Sequence, residues 1–265
     1  MIRLLNSSLS RLYKNAIFKI CLGVAVFMGI FCPIFGHRYL FVMAAPASAY
    51  SLDYYFLTFI NVIAFVVAAF CSFFIATDYN DGTIRNKIVI GNSRIGIYMA
   101  NFITSVVAAC ILCTGYIILA LCVGRPLIGA FQYFSKTEVV ALVICAYLVL
   151  IAIAGITTLV GMTASNMVVS LGISACVVIG FLCFGVHQLN MQSDVIFWLG
   201  ESKREMALFW IDFLPGGQMM TFFALKGNIL YFVDPNPVNM IMGSLCFVIA
   251  STVVGMIIFC RKDLK

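Results

Sequence analysis

Six long runs of apolar residues constrain the fold of this chain more than any other feature of its sequence. Each run has about 20 residues and almost no charge, which is enough for one helix to cross the hydrocarbon core of a bilayer. The runs are continuously apolar rather than alternating, and this pattern favours helices over barrel strands. The predicted spans are residues 17–35 (with Lys19 near the start), 54–76, 97–123, 139–162, 167–186 and 238–260.

The composition supports a membrane protein rather than a soluble one. Of the 265 residues, 63% are hydrophobic and only 10% are charged, whereas soluble domains are typically about half apolar and a quarter charged. A compact fold of this size cannot bury so much apolar surface. We therefore predict an all-α polytopic membrane protein, with residues 1–265 forming a single transmembrane domain.

The connections add detail to this plan. The third run is longer than a membrane requires, so we expect it to tilt or to break at one end. Arg125-Pro126 predicts an abrupt helix end there, because proline cannot continue the backbone hydrogen bonding. Only residues 163–166 separate the fourth and fifth spans, which predicts a tight antiparallel hairpin.

The distribution of charge predicts the orientation. With six spans and the N-terminus inside, ten of the sixteen basic residues and three of the ten acidic ones lie inside, a net charge of +7. The remaining six basic and seven acidic residues lie outside, a net charge of −1. Cytoplasmic loops are enriched in Lys and Arg, so both termini are expected in the cytoplasm. The overall charge of +6 is thereby explained by topology, and we expect no nucleic-acid partner.

The first 15 residues have the pattern of an amphipathic helix. Ile2, Leu5, Leu9 and Leu12 recur at helical spacing and are flanked by basic residues. This pattern predicts an interfacial helix over residues 1–15 that lies along the inner membrane surface. The alternative is a frayed tail that only sets the orientation.

The segment 78–94, DYNDGTIRNKIVIGNSR, is the most informative connection between spans. Asp78 and Asp81 are candidates to cap a helix start, and Thr83 would open a short helix that ends before Gly91. Arg85 and Lys87 are expected on its watery side, with Ile84, Ile88 and Val89 toward lipid. We interpret this segment as a cytoplasmic coupling hinge that a soluble partner can push. The alternative is a basic loop whose Lys and Arg residues only reflect its cytoplasmic location.

The exterior segment 187–237 is the one substantial region that does not span the membrane. Apolar stretches lie on both sides of Pro215, Gly216 and Gly217. We predict two re-entrant half-helices, broken at this Pro-Gly-Gly, that dip into the outer leaflet or lie on it. Backbone of this kind is tolerated at membrane depth only where protein or water covers it. The alternative is a small exterior lobe.

Catalytic motifs are missing from the sequence. It has no H-E-x-x-H, no G-x-S-x-G and no Walker-type phosphate loop. His37 and His187 both fall at exterior ends of spans, where polar interface roles are more common than catalysis. Cys110 and Cys113 form a C-x-x-C without a second pair, so packing is favoured over metal or redox chemistry. We expect no enzyme activity and no cofactor or metal bound by this chain itself.

Four features of the sequence resemble the membrane subunits of type-two ABC exporters, including bacterial permeases for resistance to bacitracin-like or lantibiotic-like antimicrobial peptides. One is an acidic residue followed by Gly-Thr-Ile-Arg-Asn-Lys after the second span. The others are a Ser-Arg pair before a tyrosine, a Leu-Pro in the exterior segment, and a basic C-terminus. In this chain they are Asp78 with residues 82–87, Ser93-Arg94 before Tyr98, Leu214-Pro215, and residues 259–265.

The resemblance implies partner subunits and a separate role for each. Two separate ABC ATPase subunits, carrying ATP and Mg, would dock under the hinge, and a second membrane subunit, the same or related, would pair with this one. The implied location is the bacterial plasma membrane. The coupling residues would then be those of the hinge: Asp78, Tyr79, Asp81, Gly82, Thr83, Ile84, Arg85, Lys87 and Arg94. Arg85 and Lys87 would contact the ATPase, and Arg94 would hold the hinge at the interface.

We therefore expect an ATP-driven export permease for an amphipathic or lipid-like substrate, which includes an antimicrobial peptide. Two alternatives stay open. A secondary carrier or channel would work without an ATPase and would need a functional polar group at mid-membrane. A membrane-embedded enzyme or assembly factor would need a catalytic constellation.

Overall fold

The computed structural model describes residues 2–42, 52, 56, 60–131, 134–164, 166–190, 201–221 and 236–262. Within these ranges every regular element is an α-helix, which confirms the all-α prediction. The helices are α1 (Ile2–Lys14), α2 (Ala16–Val42), α3 (Ile60–Asn80), α4 (Thr83–Val89), α5 (Arg94–Ile128), α6 (Lys136–Ala164), α7 (Met167–Asn190), α8 (Glu201–Phe213), α9 (Pro215–Thr221) and α10 (Pro237–Arg261).

Six of the helices are long and apolar enough to cross a membrane, as the sequence predicts. Their membrane-length parts are Ala16–Phe35, Asn61–Asn80, Arg94–Ile128, Lys136–Ala164, Met167–Gln188 and Pro237–Arg261. Each overlaps one predicted span, although the first residues of the second predicted span fall largely outside the described residues. The chain thus has the helices of a multi-pass membrane protein.

Helix α5 is the longest, with 35 residues. At 1.5 Å per residue it extends about 52 Å, well beyond a hydrocarbon core of about 30 Å. The helix is unbroken and ends at Ile128, two residues past Pro126, so the predicted helix end at Arg125-Pro126 is placed to within two residues. Proline removes a single backbone donor, and the next turn still closes because the Gly129 N–H donates to the Arg125 carbonyl at 3.0 Å.

The spans pack as neighbours in a bundle. Helix α10 lies along α6, α2 lies along α5, and α3 packs against both α6 and α7. The predicted hairpin is present, since α6 ends at Ala164 and α7 begins at Met167. Lys262, just after α10, contacts Tyr79 at the end of α3, while Arg11 of α1 contacts the neighbouring Asp78. The two ends of the described chain therefore lie at the same end of the bundle.

Helix α1 is formed as predicted, and part of its predicted apolar stripe packs against the protein. Leu4, Ser8 and Leu12 are buried, and the helix lies chiefly against α5. Ile2, which was expected in the apolar stripe, is 75% exposed. Leu12 belongs to both the predicted stripe and the buried one, and Leu9 packs against the core. The buried face therefore overlaps the predicted stripe and is displaced toward Leu4 and Ser8.

Two short helices meet at the Pro-Gly-Gly motif, within one residue of the predicted break. Only Leu214 separates α8 from α9, and the motif forms the first turn of α9. Proline is well suited to a first helical turn, where its missing N–H is not needed. A Cβ on Gly216 would collide with the backbone of Phe181, and one on Gly217 with that of Ile211. The glycines therefore permit close packing of α9 against α7 and α8. Residues 191–200 and 222–235 of the predicted exterior segment lie outside the described residues.

Candidate functional site

Asp78 is the centre of a charged cluster at the end of the bundle where both ends of the described chain lie. Its side chain is fully buried at the last turn of α3. One carboxylate oxygen accepts hydrogen bonds from Arg11 of α1 and from the hydroxyl of Thr83 at the start of α4. The other accepts from Lys87 of α4 at 3.3 Å. Arg11, Asp78, Thr83 and Lys87 are called the Asp78 cluster below, and together they join three helices.

The two cations of the cluster are only partly shielded from solvent. The Arg11 side chain is 29% exposed and that of Lys87 is 18% exposed. Arg11 also lies 3.8 Å from the centroid of the Phe74 ring, a favourable cation–π distance. Burial lowers the pKa of Arg11 to about 10. Burial, with the nearby charge of Arg11, lowers the pKa of Lys87 to about 8. A buried carboxylate needs such partners, because an unpaired charge is costly to remove from water.

The start of α4 differs from the prediction. The N-cap residue is Gly82, which has a φ of 65° in the left-handed region and makes no side-chain cap. Glycine adopts this conformation without a steric penalty. Neither Asp78 nor Asp81 caps the helix, so that prediction is wrong. Asp78 instead holds α4 through side chains, while Asp81 is exposed.

The two faces of α4 also differ in part from the prediction. Ile84 is buried in the core rather than turned to lipid. Lys87 is turned toward Asp78 rather than into water, because the buried carboxylate attracts it. Arg85 is exposed, as expected. Val89 and Ile90 are each 80% exposed and lie beside it at the end of the helix. The open face of α4 thus combines one cation with two apolar side chains.

A second cluster at the same end surrounds Lys262. Its ammonium donates to the carbonyl oxygens of Thr163 at 2.8 Å and Met162 at 3.2 Å, and it lies 4.5 Å from the Tyr79 ring centroid. The Tyr79 hydroxyl donates to the same Met162 carbonyl at 2.5 Å. The last carbonyls of a helix lack partners within it, and a cation there is favoured by the helix dipole. Lys262 therefore caps α6 and ties it to α3. Burial lowers the pKa of Lys262.

Arg94 caps the last carbonyls of α10 in the same way. Its guanidinium donates to the carbonyl oxygens of Lys262 at 2.6 Å and Cys260 at 3.0 Å. The neighbouring Ser93 caps α5 by accepting a hydrogen bond from the Gly96 N–H at 3.1 Å. The hinge segment is consequently attached at both ends, through Asp78 to α1 and α3, and through Arg94 to α10.

Sequence reasoning missed the partners that hold the hinge. Arg11 was counted only among the basic residues that predict the orientation. It nevertheless shares the face of α1 that carries Leu4, Ser8 and Leu12. This spacing was the available signal, because residues 4, 8, 11 and 12 recur at intervals of three and four. Lys262 lies beyond the last span and carries no comparable signal, since its partners are backbone carbonyls far away in sequence.

The other end of the bundle contains a neutral network centred on Gln218 in α9. Its amide donates to the carbonyl oxygens of Asp212 at 2.7 Å and Met240 at 2.9 Å. Its carbonyl accepts from the Ser244 hydroxyl at 2.8 Å. These contacts fix the position of α9 between α8 and α10. Gln218, Asp212, Met240 and Ser244 are called the Gln218 network below.

In the part of the chain that the structure describes, no group of three or more His, Cys, Asp or Glu side chains is arranged to hold a metal ion. Among the described residues, the Asp78 and Lys262 clusters lie at one end of the bundle and the Gln218 network at the other. No protein-family model matches the chain, and no curated protein matches its sequence.

Proposed function

We propose that this chain is the membrane subunit of an ATP-driven exporter whose ATPase is a separate protein that docks on α4. The observation that carries the proposal is the construction of this short helix. It follows a membrane-length helix directly, presents Arg85, Val89 and Ile90 outward, and is held from behind by a buried carboxylate. A simple loop between spans needs neither the helix nor the buried ion pairs.

The exposed face suits a soluble protein partner. Protein interfaces favour Arg and apolar side chains in their buried centre, with charges around them. Val89 and Ile90 would enter a groove of the partner, and Arg85 would pair with an acidic residue at its rim. Lys87 is engaged with Asp78, so we assign it to coupling within this chain rather than to contact with the ATPase.

The Asp78 cluster provides a route for force. Thr83 and Lys87 join α4 to Asp78, and Asp78 is joined to Arg11 on α1. A movement of α4 that follows nucleotide binding would therefore displace α1 and the end of α3 together, and Arg94 would carry it to α10. Switching between inward-facing and outward-facing states by rigid movement of helices is a common transport device.

The described spans favour an amphipathic or lipid-like cargo. Their interior polar groups are neutral hydroxyls and amides such as Asn101, Ser105 and Thr157, and their charged residues lie near the ends. Carriers that couple transport to protons usually contain an ionisable group within the membrane. A lateral path for a cargo from the lipid therefore fits better than a proton-coupled site. The resemblance of the sequence to antimicrobial-peptide resistance permeases suggests such a peptide as one cargo.

The experiment is a search of the neighbouring coding sequences for an ATPase with Walker motifs, followed by its co-expression with this chain, co-purification and measurement of ATP hydrolysis. We expect Arg85→Glu and Val89→Asp each to weaken recovery of the ATPase by about tenfold, since interface hot spots contribute 2 kcal/mol or more. Lys87→Gln should leave the ATPase bound but reduce its stimulation. Arg3→Glu is the matched control, because Arg3 is exposed on α1 at the same end of the bundle.

Three results would overturn the proposal. One is full recovery of a stimulated ATPase with Arg85→Glu and Val89→Asp combined. Another is the lack of any neighbouring coding sequence for an ATPase with Walker motifs together with no ATPase in the intact purified complex. The third is cargo movement by the purified chain alone in vesicles that contain no ATPase, which would favour the secondary carrier or channel. The same purification shows whether a second membrane subunit is a copy of this chain or a related one.

A further inference from the structure

A cavity of about 610 Å³ opens at the end of the bundle opposite the Asp78 cluster. It lies where α5 ends and α6 begins. Arg125 is 31 residues beyond Arg94 on the same helix, so the cavity is about 46 Å from the hinge along α5. Neither the hinge nor the Gln218 network contributes to its walls.

The interior wall of the cavity is apolar. Leu121, Phe131 and Phe134 line it. Phe134 is buried, and Phe131 packs edge-to-face on Phe56 with ring centroids 5.5 Å apart. These contacts hold the aromatic side chains in place. The wall is therefore a fixed hydrophobic surface rather than a group of loose side chains.

Two cations complete the cavity. Arg125 and Lys136 both line it, and both side chains belong to exposed residues. Among the residues that the structure describes, neither forms an ion pair with a carboxylate. Two like charges beside one cavity repel each other, and an anion placed between them would relieve that repulsion.

The level of the cavity in the membrane indicates which kind of anion it would bind. Lys136 and Glu138 are in the first turn of α6, and no charged residue follows in this helix up to Ala164. The charged turn therefore lies at the edge of the hydrocarbon core, which is the level of lipid phosphates. An acyl chain that leaves such a phosphate would pass along the apolar wall. A free phosphate ion would leave most of the cavity unfilled.

We propose that this cavity binds an anionic phospholipid, with its phosphate between Arg125 and Lys136 and one acyl chain against Leu121, Phe131 and Phe134. Arginine forms paired hydrogen bonds with phosphate, and lysine adds a second charge. A zwitterionic lipid carries its own cation and gains less from this site. The proposal does not depend on the proposed transport function.

Cys122 provides a local readout, since it is exposed and lines the same cavity. The full chain is purified in a neutral detergent, and alkylation of Cys122 by N-ethylmaleimide is followed by mass spectrometry. Phosphatidylglycerol, phosphatidylcholine and inorganic phosphate are added in separate arms. Cys176 of α7 is the internal reference, because it is also exposed and does not line the cavity.

We expect phosphatidylglycerol to slow alkylation of Cys122, but not of Cys176, by about threefold or more relative to phosphatidylcholine, as a partly exposed charge interaction allows. The combined variant Arg125→Gln with Lys136→Gln should abolish this difference. Arg125→Lys with Lys136→Arg should keep it, because the charge is kept. Lys14→Gln with Lys19→Gln is the matched control, since it removes two exposed cations from the other end of the bundle.

Equal protection by the two lipids would overturn the proposal, as would protection that survives the neutral double variant. Equal protection by inorganic phosphate alone would also overturn it, because the apolar wall would then have no part in binding. Both substituted residues are exposed, and the elution volume of each variant in size-exclusion chromatography confirms that it is folded.

Discussion

At one end of the bundle the helices are joined by charged side chains, and at the other end by neutral ones. The Asp78 cluster surrounds a fully buried carboxylate with two partly exposed cations. In the Gln218 network, the side-chain amide donates to two backbone carbonyls and its own carbonyl oxygen accepts from a hydroxyl. Neutral hydrogen bonds of this kind fix one arrangement of the helices. An ion cluster at the water boundary can exchange partners, because water and a docked protein can replace one of its contacts.

The difference matches the surroundings of the two networks. The Asp78 cluster lies directly behind α4, whose outer face exposes Val89 and Ile90. The Gln218 network lies among α8, α9 and α10, where Gly216 and Gly217 bring the backbones too close for any larger side chain. We infer that the first end is built to respond to a partner and the second to keep its shape.

The largest expected effect is from Asp78→Asn. The change leaves Arg11 and Lys87 partly buried and close together without a carboxylate, so we expect the free energy of unfolding to fall by about 3 kcal/mol. Thermal unfolding in detergent measures this loss. Glu205→Gln, which removes an exposed carboxylate of α8 far from the Asp78 cluster, serves as the control and should change little.

A triple variant separates charge from packing. Adding Arg11→Gln and Lys87→Gln to Asp78→Asn removes both uncompensated cations, so part of the lost stability should return. If Asp78→Asn is as stable as the unchanged chain, or if the triple variant is less stable than the single one, the ionic account of this end is wrong.

Much of the fold could be predicted from the sequence because lipid imposes a simple rule. A helix must be about 20 apolar residues long to cross the membrane, and all six such runs became helices. The short helix of the hinge was also predicted, with Thr83 opening it and Gly91 ending it. The contacts on the inner side of this helix were not predicted, because a buried carboxylate pairs with whichever cations the fold brings near it. Neither Arg11 nor Lys262 is near Asp78 or Met162 in sequence, so no local pattern links them.

In the segment that was predicted to lie outside, the break between α8 and α9 could be predicted, but the packing role of the glycines could not. Pro215-Gly216-Gly217 is typical of a break, and on its own it gives no sign that the two glycines are needed for close contact with Phe181 and Ile211. The role of Gln218 was missed for the same reason. A single glutamine in an apolar stretch is visible in the sequence, but its partners are backbone carbonyls on two other helices.

Gln218→Leu should have the next largest effect and should sharpen the comparison. The carbonyl oxygens of Asp212 and Met240 would lose a buried donor, and we expect a loss of about 2 kcal/mol in stability. Gln188→Leu on α7 is the control, because Gln188 is partly exposed. If the two ends have different tasks, Gln218→Leu should lower the unfolding temperature while ATPase recovery per folded molecule stays unchanged. A parallel loss of ATPase recovery would show that the two ends are not independent.

The smallest expected effect concerns pH and the Asp212 side chain, a buried carboxyl near the neutral network. Burial raises the pKa of Asp212 to about 6, although the Asn236 N–H, 3.2 Å from one carboxylate oxygen, opposes the rise. The folded state therefore holds this proton more tightly than the unfolded chain. Its contribution to stability is complete below pH 3.8, the ordinary value, and is lost as the pH rises through about 6.

Asp212→Asn removes this dependence by keeping the group neutral. We expect it to stabilise the protein at pH 8 by about 1 kcal/mol and to flatten unfolding temperature against pH between 4 and 8. Glu205→Gln, on the exposed side of the same helix, should leave the profile as it is. An unchanged slope in the Asp212→Asn variant would mean that other groups cause the pH dependence. Asp212 would then contribute nothing to the pH dependence of stability, and the contrast between the charged cluster and the neutral network would be sharper than we propose.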